Sequence, residues 1–313
     1  MALVTGGQAA VSTLEAENTK YVFGLIGSAT MEIFDALYDS HNINYIGVHD
    51  ERTGVHMADG YARASGNAGL FLAGQNGPGA TNLVTGLSQA MAAFSPVVSI
   101  AGALSSSHLY RDAFQEIDQN ALFKPITKKT WTAPSAERIP ELLREAFRNA
   151  LTPRMGPVHL NLPRDVLAAQ FENNLDLHPS SYRDKSAPAG DFEKIKQASR
   201  IISEANKPVI IAGGGIKNTA GQTQALALAE ELNCPIVTSP GHGDAIAFSH
   251  PLNAGQMGPR GNIVASRLVK EADVILALGT RLGFNSTFYS YDNINRDAKI
   301  IHVEIEPSAI GRF

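Results

Sequence analysis

The sequence holds a single cysteine, Cys234, among 313 residues. One thiol cannot close an internal disulfide, and such usage suits a reducing compartment. Long apolar runs are missing too: Pro96-Val-Val-Ser-Ile-Ala-Gly-Ala-Leu104 stops far short of the roughly 20 residues a membrane-spanning helix needs. The first residues, Met1-Ala-Leu-Val-Thr-Gly-Gly7, carry no basic segment ahead of an apolar core, so no secretory signal is expected. Positive charge is not in excess, with 26 Lys and Arg against 30 Asp and Glu. That balance disfavours nucleic acid or an anionic membrane as a partner, and a cytoplasmic protein is expected. No P-loop occurs, and Ser105-Ser-Ser107 before His108 lacks the G-x-S-x-G elbow of a serine hydrolase. The nine histidines form no His-x-x-x-His or Glu-x-x-His array, and His49 and His56 lie seven positions apart, so no metal ligand is expected.

What is present is an alternation of strand and helix patterns. Ala10, Val11, Leu14 and Ala16 recur at helical spacing, and Tyr21 to Ile26 reads as a short buried strand. The turn Gly27-Ser28-Ala29-Thr30 leads to a helix marked by Ile33, Phe34 and Leu37. Strand 43 to 48 and helix 52 to 64 follow, the helix with Val55, Ala58 and Ala62 on one face. Next come strand Gly69 to Ala73, a glycine-rich turn, a helix from about 80 to 93, and strand Val97 to Ala101. After an irregular segment, Ile126 to Thr130, a helix from about 135 to 150, and Pro157 to Asn161 continue the pattern. This alternation predicts a mostly parallel sheet covered on both faces.

The texture changes after Pro163-Arg-Asp-Val-Leu167. Asn173-Asn174, Pro179-Ser-Ser181 and Lys185 to Gly190 are turn and linker chemistry. Helices at 191–204, 220–233 and 262–270 and strands at 208–212, 235–237, 273–278 and 299–305 then restart the alternation. A chain of this length exceeds what one core supports. The expectation is an α/β protein of two doubly wound, mostly parallel-sheet domains, 1–167 and 190–313, joined by a linker at 168–189; about six strands are expected in the second.

Three stretches of the first domain could carry chemistry. The apolar run Tyr45-Ile-Gly-Val48 ends in His49, Asp50 and Glu51, which puts a carboxylate where a strand meets a helix. Ligands bind at that edge in open α/β sheets, although a solvated acid would look the same. Gly74-Gln-Asn-Gly-Pro-Gly-Ala-Thr-Asn82 links the next strand to its helix, either as a structural turn or as a close backbone approach to a ligand. Asp112-Ala-Phe-Gln-Glu-Ile-Asp118 lies in the irregular segment, as an acidic turn or as a polar contact from Gln115 beside an apolar wall from Phe114. In the second domain Gly213-Gly-Gly215 holds the position of a dinucleotide fingerprint, but residue 218 is Asn218, so G-x-G-x-x-G fails.

Taken in order, these stretches resemble the thiamine-diphosphate-dependent enzymes of the acetolactate synthase group. The matching segments are Val22-Phe-Gly24, His49-Asp-Glu51 through Arg63, Asn76 through Asn82, Asp112 through Glu116, Ile126-Thr-Lys128, Gly156 through Leu160, Pro163-Arg-Asp165, Gly213-Gly-Gly215 and Ala272 through Arg281. The resemblance implies a pyrimidine-binding domain followed by a central domain. It implies that Glu51 hydrogen-bonds a ring nitrogen of the cofactor's aminopyrimidine and so promotes loss of the thiazolium proton. It further implies that Asn76, Gly77, Pro78, Gly79 and Asn82 line the cofactor site with Gly27 and Ser28. Ala29, Phe114 and a catalytic Gln115 would face a 2-oxo acid or aldehyde substrate.

The resemblance also implies a homodimer or homotetramer and a magnesium-bound diphosphate. In relatives the diphosphate is held by a further domain carrying Gly-Asp-Gly, whereas Gly243-Asp244 here runs into Ala245. That domain is expected to be absent from this chain, which alone should bind the cofactor weakly. FAD is a further possibility through Gly213 to Gly215, but Leu282-Gly-Phe-Asn285 stands where flavin-holding relatives carry Phe-Asp-Asp-Arg. Gln75 to Gly79 and Leu276 to Gly283 look closer to sulfoacetaldehyde acetyltransferases. A non-catalytic two-domain binding or regulatory module is the alternative from another class.

Overall fold

The computed structural model describes residues 3–172, 178–183, 188–217 and 219–312. The chain divides into two compact units, Met1–Lys185 and Ser186–Phe313.

In the first unit a short strand, β1 (Leu3–Thr5), runs into α1 (Gly6–Ala16). Thr5 opens that helix by a reciprocal cap: its hydroxyl accepts from the Gln8 amide at 3.1 Å, and its own amide donates to Gln8 Oε1 at 2.9 Å. The alternation continues through β2 (Tyr21–Leu25), α2 (Met31–Tyr38), β3 (Asn44–Gly47), α3 (Glu51–Ser65), β4 (Gly69–Ala73), α4 (Pro78–Thr81), α5 (Val84–Ala93) and β5 (Val97–Ala103). It closes with α6 (Gln119–Phe123), β6 (Thr130–Thr132), α7 (Ile139–Leu151), β7 (Val158–Pro163), α8 (Arg164–Ala168) and β8 (Gln170–Glu172).

Two elements differ from the periodicity. The helix expected over 80–93 is split into α4 and α5, because Leu83 N bonds back to Ala80 O in a tight turn. The strand expected from Ile126 begins only at Thr130. Residues ahead of it serve helix ends: the Thr127 hydroxyl donates to Phe123 O, and Lys128 Nζ reaches the carbonyls of Asn149 and Thr152 at the end of α7.

Six strands form one parallel sheet in the order β3-β2-β4-β5-β7-β6. Strand alternation sends Leu70 and Leu72 of β4 to a core shared with α1, α2 and α7, and Phe71 and Ala73 to one shared with α3 and α5. Both faces are thereby covered. The order reverses direction between β2 and β4, so the segments after them diverge at the carboxyl edge and leave a crevice. There Gly74 N donates to Leu25 O at 2.8 Å and Ala29 N to Gly74 O at 2.9 Å. A Cβ on Gly74 would stand 2.0 Å from Gly27 N, so the two loops touch backbone to backbone.

The stretch expected as a linker contributes to this unit where it is described. β8 pairs antiparallel with β1 and buries Phe171. Tyr182 and Arg183 hold the buried Glu17 carboxylate at 2.5 and 2.7 Å. The expected linker residues 173–177 and 184–187 lie outside the described residues.

The second unit contains α9 (Phe192–Ser203), β9 (Pro208–Ala212), α10 (Gly221–Glu231), β10 (Ile236–Thr238), β11 (Asn253–Gln256), α11 (Ile263–Glu271), β12 (Val274–Leu278), α12 (Phe284–Thr287) and β13 (Lys299–Val303). Its parallel sheet has the order β11-β10-β9-β12-β13, five strands among the described residues. Ile210 and Ala212 face one core while Val209 and Ile211 face the other. No helix among the described residues is long and apolar enough to cross a membrane.

Gly74→Ala tests the loop contact. The added methyl meets rigid backbone, and overpacking of this kind costs about 1–3 kcal/mol. A denaturant titration should show that loss, and unchanged stability would refute the contact.

Candidate active site

Glu51 is the first residue of α3, and Asp50 ahead of it caps the helix by accepting from Arg52 N at 2.8 Å. The Arg52 guanidinium holds the Asp50 carboxyl down at about 2. Asp50 is therefore occupied by the helix end and by Arg52, and Glu51 is the acid turned inward, 7% exposed. Asn82, at the end of α4, donates from Nδ2 to Glu51 Oε2 at 2.9 Å. The other oxygen, Oε1, faces Gly79, where an added Cβ would come within 3.3 Å of it.

The turn after β4 is held by its own amides. Gln75 Nε2 donates to Asn76 Oδ1 and to Gln115 Oε1, both at 3.1 Å, while Gln75 Oε1 accepts from Ser28 Oγ at 3.0 Å. Asn76 is buried and donates from Nδ2 to the carbonyls of Phe114 at 3.2 Å and Gln115 at 3.0 Å. These two carboxamides tie three loops together. Gly77 has φ +55°, and a Cβ there would lie 2.5 Å from Gln115 O, so glycine is required on both counts.

The irregular segment after β5 is a shaped loop. Tyr110, Asp112 and Gln115 all have positive φ, a conformation that side chains disfavour. Glu116 holds it by accepting from the amides of Tyr110 at 2.8 Å and Ala113 at 3.3 Å. Phe114 is left 75% exposed at the rim.

Gly27, Ser28, Glu51, Asn76, Gly77, Gly79, Asn82 and Gln115 are thus joined at one sheet edge by direct contacts. Pro78 is the first residue of α4, and Ala29 is bonded through its amide to Gly74. Other residues of the motifs are scaffold. Arg63 binds Asp59 and Ser95, and Asp165 accepts from Ser106 N at 3.1 and 3.2 Å.

Gly213 and Gly215 pack against Gly279 at the corresponding reversal between β9 and β12. A Cβ on Gly213 would lie 2.3 Å from Gly279 O, and Gly215 N donates to that oxygen at 2.9 Å. Asn218 lies outside the described residues. Among the described residues no cluster of His, Cys, Asp or Glu could hold a metal ion.

Sequence reasoning missed a buried polar group beneath the turn, formed by Ser99, Gln119, His159 and Asn161. Ser99 and His159 face each other across β5 and β7, with Oγ 2.8 Å from Nδ1. His159 Nε2 lies 2.8 Å from Asn161 Oδ1. A signal was present: His159 and Asn161 alternate on one face of an otherwise apolar central strand, where a polar pair needs partners.

A doubly wound sheet with an inward glutamate opposite a glycine-rich turn is the architecture of a cofactor-binding α/β domain. Residues 4–122 match the family described as thiamine pyrophosphate enzyme, N-terminal TPP binding domain, and residues 195–313 match thiamine pyrophosphate enzyme, central domain. A probable acetolactate synthase large subunit of Methanocaldococcus jannaschii is 39% identical, over 98% of this chain and 52% of that protein. The one of Methanococcus aeolicus is 38% identical over 99% and 52%. The acetolactate synthase large subunit of Corynebacterium glutamicum is 36% identical over 99% and 49%. The chain belongs to the thiamine pyrophosphate enzymes, within the acetolactate synthase group. It spans about half the length of the curated relatives it matches.

Burial pushes the His159 imidazole down to about 3, against a weaker upward pull from Asn161. In the unfolded chain the same group takes its proton near 6.5. His159 therefore contributes nothing to pH dependence above that value. As pH falls from about 6.5 towards 3 it costs stability at up to about 1.4 kcal/mol per unit. His159→Gln should flatten this acid limb in denaturant titrations across that range, and an unchanged slope would count against a neutral buried imidazole.

Proposed function

We propose that the first unit forms the aminopyrimidine half of a thiamine diphosphate site in a carboligase or 2-oxo acid lyase resembling acetolactate synthase. The observation that carries this reading is the Glu51 carboxylate. It is buried at a helix N-terminus, fixed through Oε2 by Asn82, and directed through Oε1 at the open side of Gly79. With no side chain on Gly79, Oε1 stays open on that side to a donor or acceptor on a bound ring, and an added Cβ would stand 3.3 Å from it.

When bound, the cofactor supplies an acidic thiazolium carbon and an electron sink for 2-oxo acid chemistry. The chain's own groups would do the rest. Glu51 holds or releases a proton at Oε1, and Asn82 keeps its carboxylate from rotating. The turn Asn76, Gly77, Pro78 and Gly79 lines the ring, with Gly27 and Ser28 on the facing loop. Ala29, Phe114 and Gln115 are the residues for the substrate, Phe114 as an apolar surface at the rim and Gln115 as the polar contact.

Further parts of the proposal rest on the resemblance. They are a magnesium-bound diphosphate held mostly outside residues 1–313 and a homodimeric or homotetrameric assembly. A cytoplasmic location rests instead on the lone cysteine and the sequence of the first residues. The domain limits 1–167 and 190–313 rest on the change of sequence texture, with 170–172, Tyr182 and Arg183 packed on the first unit. A sulfoacetaldehyde acetyltransferase-like activity is the second reading, and it rests on the likeness of Gln75 to Gly79 and of Leu276 to Gly283 to those enzymes. Turnover of 2-oxo acid pairs against sulfoacetaldehyde separates the two.

Replacing Glu51 with Gln in the full-length protein should slow hydrogen–deuterium exchange at the thiazolium carbon by about 10² to 10⁴, the range of a positioned acid–base group. Nuclear magnetic resonance of quenched cofactor measures it, and wild-type exchange in the variant would overturn the role. Calorimetric titration with thiamine diphosphate and magnesium, with and without a candidate partner chain, separates this reading from the non-catalytic module.

Gly213 and Gly215 are already spent on the contact with Gly279, and Leu282 to Asn285 carries no carboxylate, which supports function without flavin. The purified protein should be colourless. A stoichiometric yellow chromophore would refute this.

A further inference from the structure

The buried polar group beneath the Asn76–Gly79 turn has an orientation that can be worked out atom by atom. Asn161 Nδ2 faces Trp131 O at 3.2 Å and Asn120 Oδ1 at 3.0 Å, both acceptors, so Oδ1 is the atom turned to His159. His159 Nε2 must then carry a hydrogen, and its bare Nδ1, 2.8 Å from Ser99 Oγ, shares that hydroxyl's one hydrogen with Val158 O at 3.0 Å. Asn161 Oδ1 also accepts from Gln119 Nε2, which donates to Gly102 O at 3.2 Å as well. The remaining atom, Gln119 Oε1, accepts from the buried Gly77 amide at 3.3 Å. Gly77 sits at φ +55° and ψ −111°, outside any helix or strand ladder, and Gln119 is the acceptor for its N–H.

We propose that Gln119 is a positioning residue for the aminopyrimidine pocket. Anchored on β5 through Gly102 and on β7 through Asn161 and His159, it holds the Gly77 amide and so sets the Asn76–Gly79 turn against Glu51. The proposal rests on the reading of this pocket as an aminopyrimidine site. Gln119 touches neither the cofactor face of the turn nor Glu51; it acts through Gly77. The groups bonded to its carboxamide, Gly77 N–H, Gly102 C=O and the Asn161 carboxamide, carry no charge. The titratable groups around it are His159 behind Asn161, Glu51 across the turn, and the adjoining Asp118, whose carboxylate accepts from Ala121 N at 2.9 Å.

Two variants of the full-length protein test this. Gln119→Met keeps the length of the side chain and removes all its hydrogen bonds. Gln119→Glu keeps the shape but, when ionised, sets a carboxylate against Gly102 O and Asn161 Oδ1. Without cofactor, amide hydrogen exchange across residues 74–82 should quicken about tenfold in Gln119→Met, the loss of one buried hydrogen bond. With saturating thiamine diphosphate and magnesium, exchange at the thiazolium carbon should fall by about the same factor.

Gln119→Glu should show the same deficit at about pH 8 and recover towards wild type at about pH 5.5, because a protonated carboxyl restores one acceptor and one donor. Each rate is taken as a ratio to wild type at the same pH. Turn exchange and thiazolium exchange within twofold of wild type in Gln119→Met would overturn the proposal, as would a folded Gln119→Glu without acid recovery. Should Gln119→Glu not fold at the higher pH, Gln119→Met carries the decision. If wild type neither binds the cofactor nor exchanges its thiazolium proton, the pocket reading fails instead, and the cofactor-free turn exchange still decides whether Gln119 holds Gly77.

Discussion

The candidate site depends on one backbone contact, between the Gly27 and Gly74 segments at the ends of β2 and β4. Neighbouring parallel strands whose chains leave in opposite directions must open a crevice at their carboxyl ends. The contact narrows that crevice to a defined width. With Gly74 pressed on Gly27, Gln75 can reach Ser28 on one side and Gln115 on the other, and Asn76 can catch the carbonyls of the loop after β5. Any side chain on either glycine would push the loops apart, and the amide ties have too little reach to follow.

The residues of the N-terminal motifs fall into two groups with different physical duties. Glu51, Asn76, Gly77, Gly79, Asn82 and Gln115 meet at the crevice. Asp50, Asp59, Arg63, Lys128 and Asp165 serve helix ends, a link from α3 to the turn after α5, and a loop anchor. Burial of Lys128 lowers its ammonium from the ordinary range, as expected of a cation enclosed among carbonyls at the end of α7. The second unit repeats the logic of the first: glycines at its reversal, Gly213, Gly215 and Gly279, let two loops pack backbone to backbone. In both units glycine marks close packing of chain on chain, and in the first the same packing leaves an acid facing an opening.

Much of this was legible in the sequence. Apolar runs of strand length alternating with helical periods specify two parallel, doubly wound sheets, because no other layering buries both faces of such strands. The abrupt end of Tyr45 to Val48 in acids, and the glycine-rich stretch one strand later, put Glu51 and Asn76 on a common edge by topology alone. Local pattern failed where side chains spent on other elements cut an element short. Thr127 and Lys128 look like strand residues until Phe123, Asn149 and Thr152 are beside them, and Gln170 to Glu172 look like linker until β1 supplies a ladder.

Tertiary structure alone decided which polar groups meet. Gln119 is 42 residues from the glycine amide it holds, and His159 is 60 residues from Ser99. Spacing along the chain carries no information about such pairs; the register of β5 on β7 does. The sequence by itself determined the layers, the edge and the acid, since these follow from hydrophobic period and chain order. Which oxygen of Glu51 is tethered and which faces Gly79 was decided only when α3 and α4 packed together, because a carboxylate's direction is set by the neighbour that donates to it.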